Sequence, residues 1–125
     1  MKAVYATGTN YDDPLSMLEV GDMPKPETKP FWSTIRVKSA SVNHHDVWSL
    51  QGVGLADEQT PMILGTDAAG VLQEDIPVRK GLKAGSEVVL YTFIGTDGAG
   101  VMPGERRSIL SERYAGTMAE YTQVP

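Results

Sequence analysis

Glycine and proline interrupt this chain so often that no regular element can run far: 13 glycines and 8 prolines fall among 125 residues. Each proline fixes φ and withdraws a backbone donor, and each glycine loosens the element it sits in. Between the interruptions, apolar residues recur every second position, the period of a strand with one buried face. MKAVYA sets Lys2, Val4 and Ala6 against Ala3 and Tyr5 and breaks at TGTNYDDP, a cluster of turn formers. LSMLEV at 15–20 reads as a second strand, closed by Gly21 and the prolines of MPKP, and Pro24, Pro26 and Pro30 keep the next segment extended. TIRVKSASV at 34–42 alternates again, SEVVLYTFI at 86–94 is the strand richest in β-branched and aromatic residues, and TMAEYTQVP closes the chain. Five or six short strands with only short helices predict a mostly β fold, a barrel or sandwich.

A chain of this length fits one domain with a core of its own. Its net charge of −5, with basic residues scattered, makes duplex nucleic acid and anionic membrane poor partners. Without cysteine there is no disulfide framework, no thiolate nucleophile and no cysteine-based zinc site, a composition suited to a reducing compartment. The first residues lack the apolar core of a signal peptide, and no apolar run approaches the roughly 20 residues that span a bilayer. The expectation is a soluble, cytoplasmic protein.

Both histidines stand together in SVNHHDVWSLQG. Val47 and Leu50 are three apart and Gly52 follows, so one or two helical turns begin here, capped by Asn43 or Asp46 and stopped at Gly52. NHHD therefore falls where a strand ends and a helix starts, a point at which backbone donors and side chains converge. Adjacent histidines point in different directions, so His44 and His45 do not grip one metal together. One of them with Asp46 and Asp67 could still ligate zinc, but a surface histidine beside a hydrogen-bonding one at the helix start is the commoner arrangement. GTDGAG at 95–100 has the order G-x-x-G-x-G, without a following helix or a βαβ frame, and reads as a surface loop rather than a phosphate cradle. Trp48 and Tyr91 are candidate pocket aromatics, although aromatics beside strands more often belong to a core. No G-x-S-x-G elbow is present.

In order, MKAVYA, VNHHDVWSLQG, PMILGTDAAGV, LKAGSEVVLY and GTMAEYTQVP resemble the N-terminal catalytic domain of medium-chain dehydrogenase/reductases, a GroES-like β-barrel with short helices, over essentially all of residues 1–125. The succession carries the resemblance: V-x-x-x-D, then P-x-x-x-G-x-[DE]-x-x-G, then a G-S/D-x-V strand, then G-x-x-A-E-Y. Zinc-containing members have a cysteine where Asn43 stands and a G-H-E triplet where Gly65, Thr66 and Asp67 stand. The lobe carrying four structural-zinc cysteines has no counterpart. Both departures, with LGTDAAG at 64–70, are similar to the zinc-free, quinone oxidoreductase-like branch.

The resemblance implies an NADP(H)- or NAD(H)-dependent oxidoreductase acting on quinone, enone, alcohol or carbonyl substrates, with no metal. Asn43, Asp46, Thr66 and Asp67 form the catalytic set. Asn43 hydrogen-bonds near the nicotinamide and the substrate carbonyl, and Asp46 anchors it from behind. Trp48 and Tyr91 line the substrate pocket, and His44, with Asn43, approaches the cofactor, His44 at its pyrophosphate. Family members continue into a Rossmann domain that this chain lacks, so the 125-residue chain alone is expected to be inactive, with possible self-association. The alternative is a stand-alone, non-enzymatic barrel that binds a small ligand or a protein partner. GroES-like names an architecture and carries no co-chaperone function.

Overall fold

The computed structural model describes residues 1–27, 29–76, 81–95 and 107–125. Three antiparallel sheets share the strands. β1 (Lys2–Ala6) lies between β2 (Leu18–Asp22) and β4 (Met62–Ile63). The central sheet runs β6 (Glu87–Val89), β5 (Ala68–Leu72), β3 (Ser33–Ala40), β9 (Tyr121–Val124), and β7 (Phe93–Ile94) pairs with β8 (Ser108–Ile109). One α-helix, α1 (His44–Leu50), follows β3, and 3-10 turns span Pro14–Met17 and Asp57–Gln59. Among the described residues, no helix is long and apolar enough to cross a membrane. The mostly β GroES-like architecture expected from the sequence is the one observed.

The sheets are stitched by the backbone of 116–120. Met118 N–H donates to Leu64, Val4 N–H to Met118, Glu120 N–H to Lys2 and Val37 N–H to Glu120, so β1, β4 and β3 share one connecting segment. Three apolar clusters fill the interior. Ala6, Leu50, Leu55, Met62 and Leu64 pack under α1; Ile35, Ala68, Leu72 and Leu90 pack within the central sheet; Trp32, Ile94 and Leu110 pack beside β7. A Cβ at Gly70 would lie 2.4 Å from the Arg36 carbonyl oxygen, so β3 and β5 approach closely there only because residue 70 is glycine.

Several local expectations shift. LSMLEV divides into the 3-10 turn at Pro14–Met17 and β2, because Pro14 sits comfortably at a helix start and spoils a strand. SEVVLYTFI divides into β6 and β7, which belong to different sheets, with Leu90 buried at the corner between them. TMAEYTQVP is strand only over Tyr121–Val124, and SILSER at 108–113 opens on β8 before turning at 111–113. The chain thus shows nine short strands among the described residues, against five or six expected. Of the glycine-rich loop at 95–100, only Gly95 is among the described residues.

Candidate functional site

Asn43 is the N-cap of α1, with extended φ −124° and ψ 158°, and its side chain makes no capping bond. The Asp46 carboxylate supplies the fixing instead, accepting from the Asn43 N–H at 2.8 Å through one oxygen and from the Gly65 N–H at 3.0 Å through the other. Asp46 is buried, so it joins the helix start to the turn before β5 from inside. That turn depends on Gly65. Its φ is +94°, and a Cβ there would come within 2.6 Å of Thr117 Oγ1 and 2.7 Å of Met118 Cγ. Only glycine accepts both the conformation and the contact.

The turn delivers Thr66 and Asp67 to Asn43. The Asn43 amide Nδ2 donates to Asp67 Oδ2 at 2.7 Å, with Thr66 Oγ1 at 3.1 Å and Ser41 Oγ at 3.2 Å. The Ser41 and Thr66 hydroxyls also donate to Asp67 Oδ2, at 3.2 Å and 3.1 Å. Thr117 Oγ1 donates to the Asp67 carbonyl at 3.0 Å and braces the turn from the 116–120 segment. Thr66 is buried, Asn43 half-buried and Asp67 exposed, so the cluster opens to solvent through the carboxylate.

His44 is exposed, edge-on to Trp48 with ring centroids 5.0 Å apart, and Trp48 is 47% exposed. His45 turns the other way: its Nε2 lies 3.2 Å from Glu112 Oε1, and Ser49 Oγ is 3.5 Å from its Nδ1. The two histidines therefore diverge. Neither joins Asp46 and Asp67, and among the described residues no three of His, Cys, Asp and Glu converge as a metal set. Tyr91 lies in the link between β6 and β7, two residues past Val89, which pairs with Ala69. Tyr91 is exposed and its ring neighbour is Phe93, at 6.1 Å.

The structure thus brings Asn43, Thr66 and Asp67 into direct contact with Asp46 behind them, and sets His44 and Trp48 on the adjoining exposed face of α1. Sequence reasoning missed Ser41 and Thr117. Ser41 was discoverable, two residues before Asn43 on a strand of period two; Thr117 reaches the turn only through tertiary folding, and no local signal marks it. A separate cleft of about 470 Å³, lined by Trp32, Met62, Ile63, Tyr114 and Tyr121 among others, shares no residue with this cluster.

Residues 29–125 match the alcohol dehydrogenase GroES-like domain. Dehydrogenase orsE of Emericella nidulans is 32% identical over 109 residues, covering 80% of this chain and 31% of that protein. A crystal structure of an NAD-dependent alcohol dehydrogenase superimposes with a TM-score of 0.79 at 34% identity, over 100% of this chain and 37% of the other. The cobalt- and zinc-bound thermostable alcohol dehydrogenase of Pyrobaculum aerophilum gives 0.77 at 26% identity, over 100% and 39%. The chain therefore spans about a third of the length of the proteins it resembles.

Proposed function

This chain belongs to the alcohol dehydrogenase GroES-like domain family, and on that premise we propose that it is the substrate-holding catalytic domain of a zinc-independent, NAD(P)H-dependent oxidoreductase. The substrate class is a quinone, an enone or an alcohol/carbonyl pair. The observation that carries the reading is the convergence of Asn43, Thr66 and Asp67 at hydrogen-bonding distance where α1 meets the Gly65 turn, with Asp46 holding both backbones.

Bound nicotinamide supplies or accepts the hydride; the chain's own residues orient. Asn43, held against Asp67, meets the reacting oxygen, Trp48 and Tyr91 offer exposed aromatic surface to the rest of the substrate, and the exposed His44 imidazole, edge-on to Trp48, meets the cofactor pyrophosphate. The dinucleotide is held mainly by a Rossmann domain outside these residues, the partner this reading requires. Zinc does not fit the residues present. An amide at 43 and a hydroxyl at 66 are poor ligands beside the thiolate and imidazole a zinc site uses, and Asp67 already serves the Asn43 amide. The absence of cysteine suits a cytoplasmic setting.

The test is steady-state kinetics of the protein produced in continuity with a dinucleotide-binding domain. NAD(P)H-dependent reduction of small quinones or enones is expected. Asn43→Ala should lower turnover by about 10- to 1000-fold, the range for losing a polar group at a reacting oxygen, whereas His44→Ala should raise the cofactor KM more than it lowers turnover. Unchanged rates in both variants would remove this cluster from the active site. Elemental analysis is expected to find no stoichiometric zinc, and about one zinc per chain surviving mild chelation would overturn the metal-free assignment.

A further inference from the structure

We propose that the cleft lined by Lys25 and Lys29 is a binding site for a small aromatic carboxylate, apart from the Asn43 cluster and beyond the proposed function. Its volume, about 470 Å³, falls in the range of small-molecule sites, roughly 300–1,000 Å³. Met62 and Ile63 of β4 are buried against it, and Trp32, Tyr114 and Tyr121 line it with rings, the first two 5.1 Å apart and tilted by 47°. Backbone contacts fix these walls. Gly116 N–H donates to the Ile63 carbonyl at 2.8 Å, and a Cβ at residue 116 would lie 2.3 Å from the Leu64 carbonyl oxygen, so the segment 114–116 closes onto β4 only with glycine there. An aromatic ring therefore finds a preformed apolar seat.

Charge decides what that ring carries. Acidic residues outnumber basic ones 16 to 11 in the chain, yet the cleft is lined by two ammonium groups against one carboxylate, that of Glu27. Lys25 Nζ stands 3.8 Å from the centre of the Tyr121 ring and Lys29 Nζ 4.8 Å from that of Trp32. The ion pairs among the described residues join Lys2 to Asp22 and His45 to Glu112, so neither of these ammonium groups meets a carboxylate. A ring face attracts the charge of an ammonium but accepts its N–H bonds only weakly, which leaves strong donors on both lysines for an anion. Pro24, Pro26 and Pro30 fix φ beside them and limit the ordering cost of binding. A planar aryl group seated on Met62 and Ile63, with its carboxylate at the two ammonium groups, satisfies both halves of the site. A neutral ring satisfies one half, and an aromatic cation is repelled.

The test is a heteronuclear NMR titration with 2-naphthoate and, as its uncharged counterpart, 2-naphthamide. The chain holds two tryptophans, so the indole N–H of Trp32 reports the cleft and that of Trp48 reports α1. Naphthoate should half-saturate the shifts of the Trp32 indole and the Ala115 amide at about tenfold lower concentration than naphthamide, the scale of one charge-assisted bond. Added salt should erode that advantage. Lys25→Met together with Lys29→Met, at two exposed positions and with spectra otherwise matching wild type, should bring naphthoate to the affinity of naphthamide. Lys25→Arg with Lys29→Arg should retain the advantage. Equal affinity of the two ligands for the wild-type chain, an advantage that survives removal of both lysine charges, the absence of saturable shifts, or shifts at Trp48 and not at Trp32 would each overturn the proposal. So would loss of the Trp32 response in the protein produced in continuity with a dinucleotide-binding domain, because the cleft would then be filled by another part of the polypeptide. No arm uses a nicotinamide cofactor or turnover, so the result is independent of the proposed oxidoreductase activity.

Discussion

Asp46 does the most at the scale of a single residue, because each of its oxygens accepts a different backbone N–H and the side chain is 4% exposed. Truncation leaves both donors without a partner inside the fold. Asp46→Ala should lower the unfolding free energy by about 2–4 kcal/mol, the loss of charge-assisted bonds plus the penalty of unsatisfied buried donors, measured by urea denaturation. A change within experimental error would show that water replaces the carboxylate. Gly65→Ala should be at least as damaging, since the new Cβ meets Thr117 and Met118 in a conformation that alanine resists. Asn43 and Asp46 were legible in the sequence because a cap and its acid three residues on follow local rules. The polarity of the Asn43 amide was not legible. It depends on Ser41, Thr66 and Asp67, and which face of an amide meets which oxygen is decided only when β3, α1 and the Gly65 turn come together.

Among the elements, β2 is an edge strand held to β1 over Lys2–Ala6, and the Lys2 ammonium lies 2.7 Å from Asp22 Oδ2 across that pair. The hydrogen bond and charge of Lys2 hold the Asp22 carboxyl below its ordinary value of 3.8. A carboxyl whose pKa is lower in the folded state adds stability above its unfolded pKa and loses it as pH falls through the folded one. Lys2→Met should therefore be slightly less stable than wild type near neutral pH, with the two urea midpoints converging below the carboxylate range. A constant gap down to the acid limb would mean that the contribution comes from packing of the lysine stem. Both groups are largely exposed, so the gap is small and shrinks with salt. The same scale shows where pattern reading gave out. Period two marks strand but not sheet membership, so SEVVLYTFI looks continuous although its chain turns at Leu90 from β5's neighbour to β8's. Conversely, β3 was readable because buried and more exposed residues alternate over Ser33–Val37, although past the register shift that follows its residues are all exposed, and β5, whose burial also alternates, was not among the strands read from the sequence.

For the whole molecule, the informative surface is the one beside the cluster. Val89, Tyr91 and Phe93 are 84%, 65% and 52% exposed at strand spacing, beginning at the residue paired with Ala69, two positions beyond Asp67. Val42 and Trp48 add exposed apolar surface on the Asn43 side. A polar cluster beside exposed aromatic and aliphatic residues has the make-up of one wall of a cleft, apolar surface with a few placed polar groups. One wall cannot fix a reaction distance, because hydride transfer needs the nicotinamide carbon and the acceptor held at about 3–3.5 Å. Among the described residues no βαβ unit offers a seat for a dinucleotide pyrophosphate. The 125-residue chain by itself should therefore show no NAD(P)H oxidation above background with quinone, enone or ketone acceptors, followed by cofactor absorbance at high protein concentration. Turnover by this chain that Asn43→Ala and Asp67→Asn both diminish would mean that it binds cofactor without a second domain, and the cleft would then have to be sought entirely within these residues.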